Sequence, residues 1–183
     1  MEKPICLSDL WQSWAIATLC LASPSTAWAG PIFDSGKLLL TNGVTSIEGA
    51  SGGGLSTWAV IAGRETERGI GLSAHVTLVE LNDYGWESHG VAAGLWNRVE
   101  VSYARQNLDT RKVGAALGLG KGYMLNQDVI GAKLRVAGDV VYGPASLPQI
   151  TLGVQHKRNL DPSVVYAVGG QHGYGTDFTI SAT

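Results

Sequence analysis

The pattern of this chain predicts an all-β fold: an antiparallel transmembrane β-barrel, with about seven or eight strands in the 183 residues. Three observations carry the prediction. Apolar and polar residues alternate with a period of two over stretches near ten residues long. Glycine is unusually frequent after residue 29. The first 29 residues have the layout of a secretory leader.

The leader divides the chain into two parts. Lys3 supplies a weakly positive start, Trp14 to Ala22 is an apolar run, and Pro24, Ser25 and Thr26 break it. Ala27-Trp28-Ala29 is then a small-x-small cleavage site before Gly30. This order describes a signal peptide at 1–29, and the apolar run is too short to span a bilayer as a helix. A buried N-terminal helix fits less well, because the run stops at the distance a cleavage site requires. Lipid attachment at Cys20 is disfavoured by Leu19, which stands where a small residue is expected. Cleavage leaves residues 30–183 as one domain and removes both cysteines, Cys6 and Cys20, so the exported part holds together without a disulfide.

All 25 glycines lie in that exported part, about a sixth of it, against a usual share of roughly 7%. Its net charge is −1, which offers no basic patch for a nucleic acid.

The strands follow from side-chain parity, since successive residues of a strand face opposite sides. Ile70, Leu72, Ala74, Val76 and Leu78 point one way, and Gly71, Ser73, His75 and Thr77 the other. Val99, Val101 and Tyr103 alternate with Glu100, Ser102 and Ala104. Ile130, Ala132, Leu134 and Val136 alternate with Gly131, Lys133 and Arg135. Ile150, Leu152 and Val154 alternate with Thr151, Gly153, Gln155 and Lys157. Phe178, Ile180 and Ala182 alternate with Thr179, Ser181 and Thr183. The expected strands are 37–46, 56–63, 69–81, 86–96, 98–107, 127–138, 148–158 and 176–183. The stretch from Trp86 to Trp96 is so rich in Gly and Ala that its parity stays ambiguous. Asn97-Arg98 reads as a tight turn, 64–68 (RETER) as a short polar one, and 108–126 and 159–175 as longer loops. Short turns on one side and longer loops on the other suit a membrane barrel.

A soluble β-sandwich also alternates, but the strands here are longer than its usual five or six residues. The polar faces carry Gly, Ser and Thr with occasional charges, as a barrel interior does. Trp58, Tyr84, Trp86, Trp96, Tyr123 and Tyr142 fall near expected strand ends. Ten residues of strand between Trp86 and Trp96 cover about 33 Å. A tilt of about 40° brings that near the roughly 25 Å apolar band of a membrane barrel.

The motifs that could carry chemistry are weak. Gly49–Gly54 (GASGGG) lacks the strand-loop-helix context of a phosphate loop and reads as a flexible loop, and Gly118–Gly122 (GLGKG) lacks the Ser or Thr that would hold magnesium. His75, His89, His156 and His172 show no metal-ligand spacing. No metal or other cofactor is expected. Ser73 and His75 share a strand face, with Glu100 available from another strand, so a surface hydrolase is an alternative, although no G-x-S-x-G elbow is present. The more informative residues are the charges expected to face the lumen: Glu100, Lys133, Arg135 and Lys157. Such charges either pair and plug a narrow barrel or line the water of a wide one.

From Gly30 onward the chain resembles a proteobacterial outer-membrane family labelled as a domain of unknown function. The matching phrases are Gly30–Leu55 (GPIFDSGKLLLTNGVTSIEGASGGGL), Trp58–Gly63 (WAVIAG), Leu95–Gln106 (LWNRVEVSYARQ), Gly114–Asp139, Leu147–Asn159 (LPQITLGVQHKRN) and Gly175–Thr183 (GTDFTISAT). The resemblance implies a β-barrel envelope protein in the cell outer membrane, with outer-membrane lipid and the barrel-assembly machinery as partners. It implies no activity and no catalytic residues. It also implies further strands beyond the GTDFTISAT segment, so this chain is expected to hold the N-terminal part of a barrel as an open sheet. The leading functional expectation is a pore or passive envelope component of unidentified solute. An outer-membrane hydrolase using Ser73 and His75, and a soluble periplasmic sandwich acting as a binding module, are the alternatives.

Overall fold

The computed structural model describes residues 45–63, 69–116, 118–140, 143–144 and 146–183. The leader, Tyr142, the polar turn at 64–68 and nearly all of the expected strand 37–46 lie outside the described residues.

The architecture is all-β and antiparallel. Two short strands, β1 (Gly52–Gly53) and β2 (Ser56–Thr57), form a hairpin. The main sheet contains β3 (Ile70–Glu80), β4 (Gly85–Leu95), β5 (Val99–Asp109), β6 (Met124–Ala137), β7 (Ile150–Asn159) and β8 (Tyr174–Ala182). These six pair in sequence order, and β3 and β8 are the two edges, so the sheet does not close into a barrel. Two short helices, α1 (Arg111–Ala116) and α2 (Pro162–Ala167), sit in the connections after β5 and β7. No described helix is long and apolar enough to cross a membrane.

The long strands follow the alternation closely. Register settles the parity of β4 that composition leaves open. Ala74 pairs with Val91, and Val91 with Tyr103, so Val91, Ala93 and Leu95 share the apolar face. Ser88, Gly90, Ala92 and Gly94 face the other way. Between β6 and β7 the register shifts at Arg135/Ala137, which leaves Val136 out of the ladder.

The connections depart from a simple short-long alternation. Residues 81–84, 110–123 and 160–173 lie at one end of the meander, and 96–98 and 138–149 at the other. The first is therefore short on the end that holds long loops, and the last long on the end that holds a tight turn. That turn is centred one residue earlier than expected. Trp96 and Asn97 both take positive φ (53° and 49°), and the Arg98 amide donates to Leu95 O at 2.9 Å. This is the left-handed geometry that matches the twist of a hairpin.

The expected strand 56–63 is a correction. Only Ser56 and Thr57 are in a strand, and they pair with Gly52–Gly53 rather than with the main sheet. The rest of the segment crosses the polar face of the sheet. Ala59, Val60, Ile61 and Ala62 are all buried. Four consecutive buried residues have no alternation for a half-exposed strand to use. Their backbone groups bond to side chains of the sheet instead, as described below.

The GASGGG stretch is also a correction. It is a folded element seated on the sheet, with the bridges Thr45↔Ser51 and Ser46↔Gly54 and positive φ at Gly49 (89°) and Gly54 (64°). A Cβ on Gly52 would overlap the backbone of Ser56 and Thr57, and one on Gly53 would overlap the Trp58 ring.

The packing is inverted relative to a water-soluble sheet. The buried groups on the covered face are small or polar: Ser88, Ala92, Glu100, Ser102, Ala104, Val129, Lys133, Thr151 and Gln155. The opposite face is apolar and uncovered. Leu72, Val76, Phe178 and Ile180 are 70%, 69%, 83% and 79% exposed, and Val91, Val101, Ile130, Leu134, Val136 and Leu152 are also exposed. Among the described residues no second sheet packs on this face.

Candidate functional site

The polar face is built by parity, and the crossing segment 45–63 is built onto it by hydrogen bonds. Glu100 on β5 is 1% exposed. Its carboxylate accepts the amide of Ser51 at 2.9 Å and the amide of Ala62 at 2.7 Å. Lys133, its cross-strand partner on β6, lies 3.3 Å from the same carboxylate. The Lys133 ammonium also donates to Ser51 O at 2.7 Å and Val60 O at 3.0 Å. One buried ion pair therefore bonds two N–H and two C=O groups of a segment that does not pair with the strands of the main sheet. Buried backbone groups require such partners, and a buried pair is tolerable only when its remaining hydrogen-bonding capacity is used.

Further contacts fix the rest of the segment. Ser88 Oγ donates to Ile47 O at 2.6 Å and Gln106 Nε2 to the same oxygen at 3.0 Å. Gln149 Nε2 donates to Ala59 O, Thr183 Oγ1 accepts the Ala59 amide at 3.2 Å, and Ser181 Oγ donates to Thr57 O at 3.2 Å. Lys157 pairs with Glu48 of the segment and with Asp177 of β8 at 2.8 Å.

Glycines on the polar face make room for this. A Cβ on Gly71 would overlap Gly63, and one on Gly94 would overlap the Ala62 carbonyl. The backbone of the segment thus lies directly on the backbone of the sheet, which only glycine permits.

The structure puts all four charges singled out in the sequence on the polar face. It brings Glu100 and Lys133 together and gives Lys157 the partners just named. Arg135 stands apart: it pairs with Asp139, whose carboxylate also accepts Asn97 Nδ2 at 3.1 Å. This joins the tight turn to the 138–149 connection. Sequence reasoning missed Glu48, Ser88, Gln106, Gln149 and Ser181 as anchors. Parity marked Ser181 as polar-facing but left Ser88 ambiguous in the Gly- and Ala-rich β4, and nothing local marked the backbone groups these side chains would meet.

The expected Ser73, His75 and Glu100 constellation does not assemble. His75 Nε2 lies 3.2 Å from Ser88 Oγ, not against Ser73, whose hydroxyl is buried without a partner. The Ser88 hydroxyl hydrogen goes to Ile47 O, so the His75 ring must donate to Ser88. That is the reverse of the polarity a general base needs. The Glu100 carboxylate is committed to two amides and Lys133.

The aromatic girdle is partly corrected. Trp86 pairs with Val79 and faces the polar side, and Trp58 belongs to the crossing segment beside Gly53. Tyr103, Phe178 and Tyr174 are exposed aromatics of the apolar face, and Trp96, Tyr84 and Tyr166 are exposed in the connections at its ends.

A family model described as "Protein of unknown function (DUF3034)" matches residues 41–183. No curated protein and no solved structure matches the chain.

Proposed function

Taking as premise that the chain belongs to this family of proteins of unknown function, we propose that it forms part of the wall of an outer-membrane β-barrel. The apolar face meets lipid, and segment 45–63 lines and obstructs the interior. This makes it a passive or gated envelope component rather than a wide, open pore. The carrying observation is the inverted burial: the sheet covers its charged and hydroxylic face with its own chain and leaves its Leu, Val, Ile and Phe side chains uncovered.

In water that arrangement is costly. Burying a Leu, Val, Ile or Phe side chain is worth roughly 1.5–3 kcal/mol. Ten such side chains, each about half or more exposed, amount to on the order of 10 kcal/mol of unrealised burial. This is comparable with the whole stability of a domain. An uncovered apolar face of this extent marks a membrane or a partner, and in hydrocarbon the cost disappears. A sandwich would cover that face with a second sheet, and the described residues provide none. The export signal read from residues 1–29 agrees with the same destination.

Cell fractionation tests the reading. The expected result is recovery with the outer membrane in a form whose gel mobility changes on heating. Recovery as a soluble periplasmic protein would refute it.

A further inference from the structure

We propose that the outward face of β7 and β8, at the end toward α2, holds a site for the phosphate group of an anionic membrane lipid, one whose headgroup carries no cation of its own. This rests on the membrane reading above and adds a ligand to it.

The site is a cavity of about 420 Å³ lined by His156, Arg158, Leu160, Pro162, Tyr166 and Tyr174, among others. Arg158 and Tyr174 are register partners across β7 and β8, and His156 is the partner of Thr176. Leu152, Val154, Phe178 and Ile180 lie on the same face toward the other end of the strands. From Phe178 to Tyr174 is four residues, about 13 Å of strand. The cavity therefore sits just beyond the apolar band, at the depth where headgroups meet a barrel.

Charge accounting singles out Arg158. The neighbouring carboxylate on its face is Asp128, its partner on β6. Both oxygens of Asp128 are already used: Arg105 donates to them at 2.8 and 3.0 Å, and the Tyr103 hydroxyl at 2.9 Å. Of the other cations at this end, Arg111 pairs with Glu80 and Lys112 with Asp83 at 3.4 Å, and Lys121, in the 110–123 connection, is outside the cavity lining. Arg158 is exposed; its charge acts on Asp128 across the strands, but among the described residues it makes no direct ion pair, so its guanidinium can still turn to a ligand. The planar fork of a guanidinium matches a phosphate in two-point contact.

The surroundings fit the same ligand. Tyr174 stacks obliquely between two imidazoles, 6.1 Å from His156 and 5.5 Å from His172. Tyr166 and Tyr174 are exposed and bring amphipathic rings to a membrane-water boundary, where such rings are favoured. His156 Nδ1 is 3.0 Å from Thr176 Oγ1, which fixes the ring. The lining thus offers one guanidinium, two phenols and one imidazole, and no carboxylate.

The test mixes the refolded full chain with phosphatidylcholine vesicles, with or without about one-fifth phosphatidylglycerol, with vesicle co-sedimentation as the readout. The proposal expects association with both through the apolar face. It also expects tighter association with the phosphatidylglycerol vesicles, and that Arg158→Ala loses roughly tenfold of that preference, as expected for a charge-assisted two-point contact. Arg158→Lys recovers only part, and Lys121→Ala, an exposed loop cation, changes nothing. Association with equal lipid preference in wild type and Arg158→Ala overturns the site and leaves the membrane reading standing. Failure to associate with either vesicle overturns both. Inorganic phosphate added to detergent-solubilised protein separates the sources: chemical shifts at His156 and Tyr174 as large as those caused by the lipid would make free phosphate the ligand and refute a lipid site.

Discussion

Replacing Glu100 by Gln keeps the shape of the buried anchor and removes its charge, so it isolates what holds segment 45–63 on the sheet. The carboxylate accepts two amides, Ser51 N and Ala62 N, and faces the Lys133 ammonium. A carboxamide has one oxygen, so one of those amides must meet an NH₂ group instead of an acceptor. An unsatisfied buried donor costs about 1–3 kcal/mol. Lys133, 4% exposed, also loses its counter-charge, and breaking a buried pair from one side costs about 3–5 kcal/mol. These penalties overlap, because the ammonium keeps its bonds to Ser51 O and Val60 O. The net expectation is therefore about 3–5 kcal/mol, not their sum. Since 1.4 kcal/mol is a factor of ten, the segment should open from about 10²-fold to several thousandfold more often. Hydrogen exchange reads this directly at the Ser51 and Ala62 amides of the refolded chain. The double variant Glu100→Gln with Lys133→Met should recover part of the loss, because no uncompensated charge remains. Wild-type exchange at both amides in Glu100→Gln, or a double variant that merely adds the two single effects, would refute the anchoring argument.

Other expectations follow from the same geometry. Leu72→Arg places a charge on the uncovered apolar face and should cost about 2–4 kcal/mol in a bilayer, whereas Thr77→Arg, on the opposite face near the strand end, should cost clearly less; equal penalties in urea titrations would contradict the assigned faces. Gly71→Ala and Gly94→Ala drive a Cβ into Gly63 and the Ala62 carbonyl, so each should destabilise by about 1–3 kcal/mol, while Gly175→Ala, where a Cβ meets nothing within 4 Å, should be close to neutral in the same titration. Ala27-Trp28-Ala29 predicts that the exported protein begins at Gly30; an intact mass that retains Met1 would reject the leader.

The sequence by itself determined the local geometry of this protein. Alternation from Ile70 to Leu78 and in β5 to β8 decided which side chains share a face, because a strand turns successive residues to opposite sides whatever lies around it. Parity placed Glu100, Lys133, Arg135 and Lys157 on one face before any pairing was known. It failed where side chains are too alike to show a period, in the Gly- and Ala-rich β4, and only register with β3 and β5 resolved that strand. It failed again at 56–63, where an apolar run looked like a strand. What decided that segment was Glu100, 38 residues away from Ala62 in the chain, together with Lys133, Gln149 and Thr183. The tertiary structure also gave the glycines their reason, since Gly71 and Gly94 matter only because another backbone lies on them. Face and strand are properties of neighbours in the chain and can be read from spacing. Which carboxylate meets which amide depends on how strands far apart in sequence are aligned, and a period of two carries no information about that alignment.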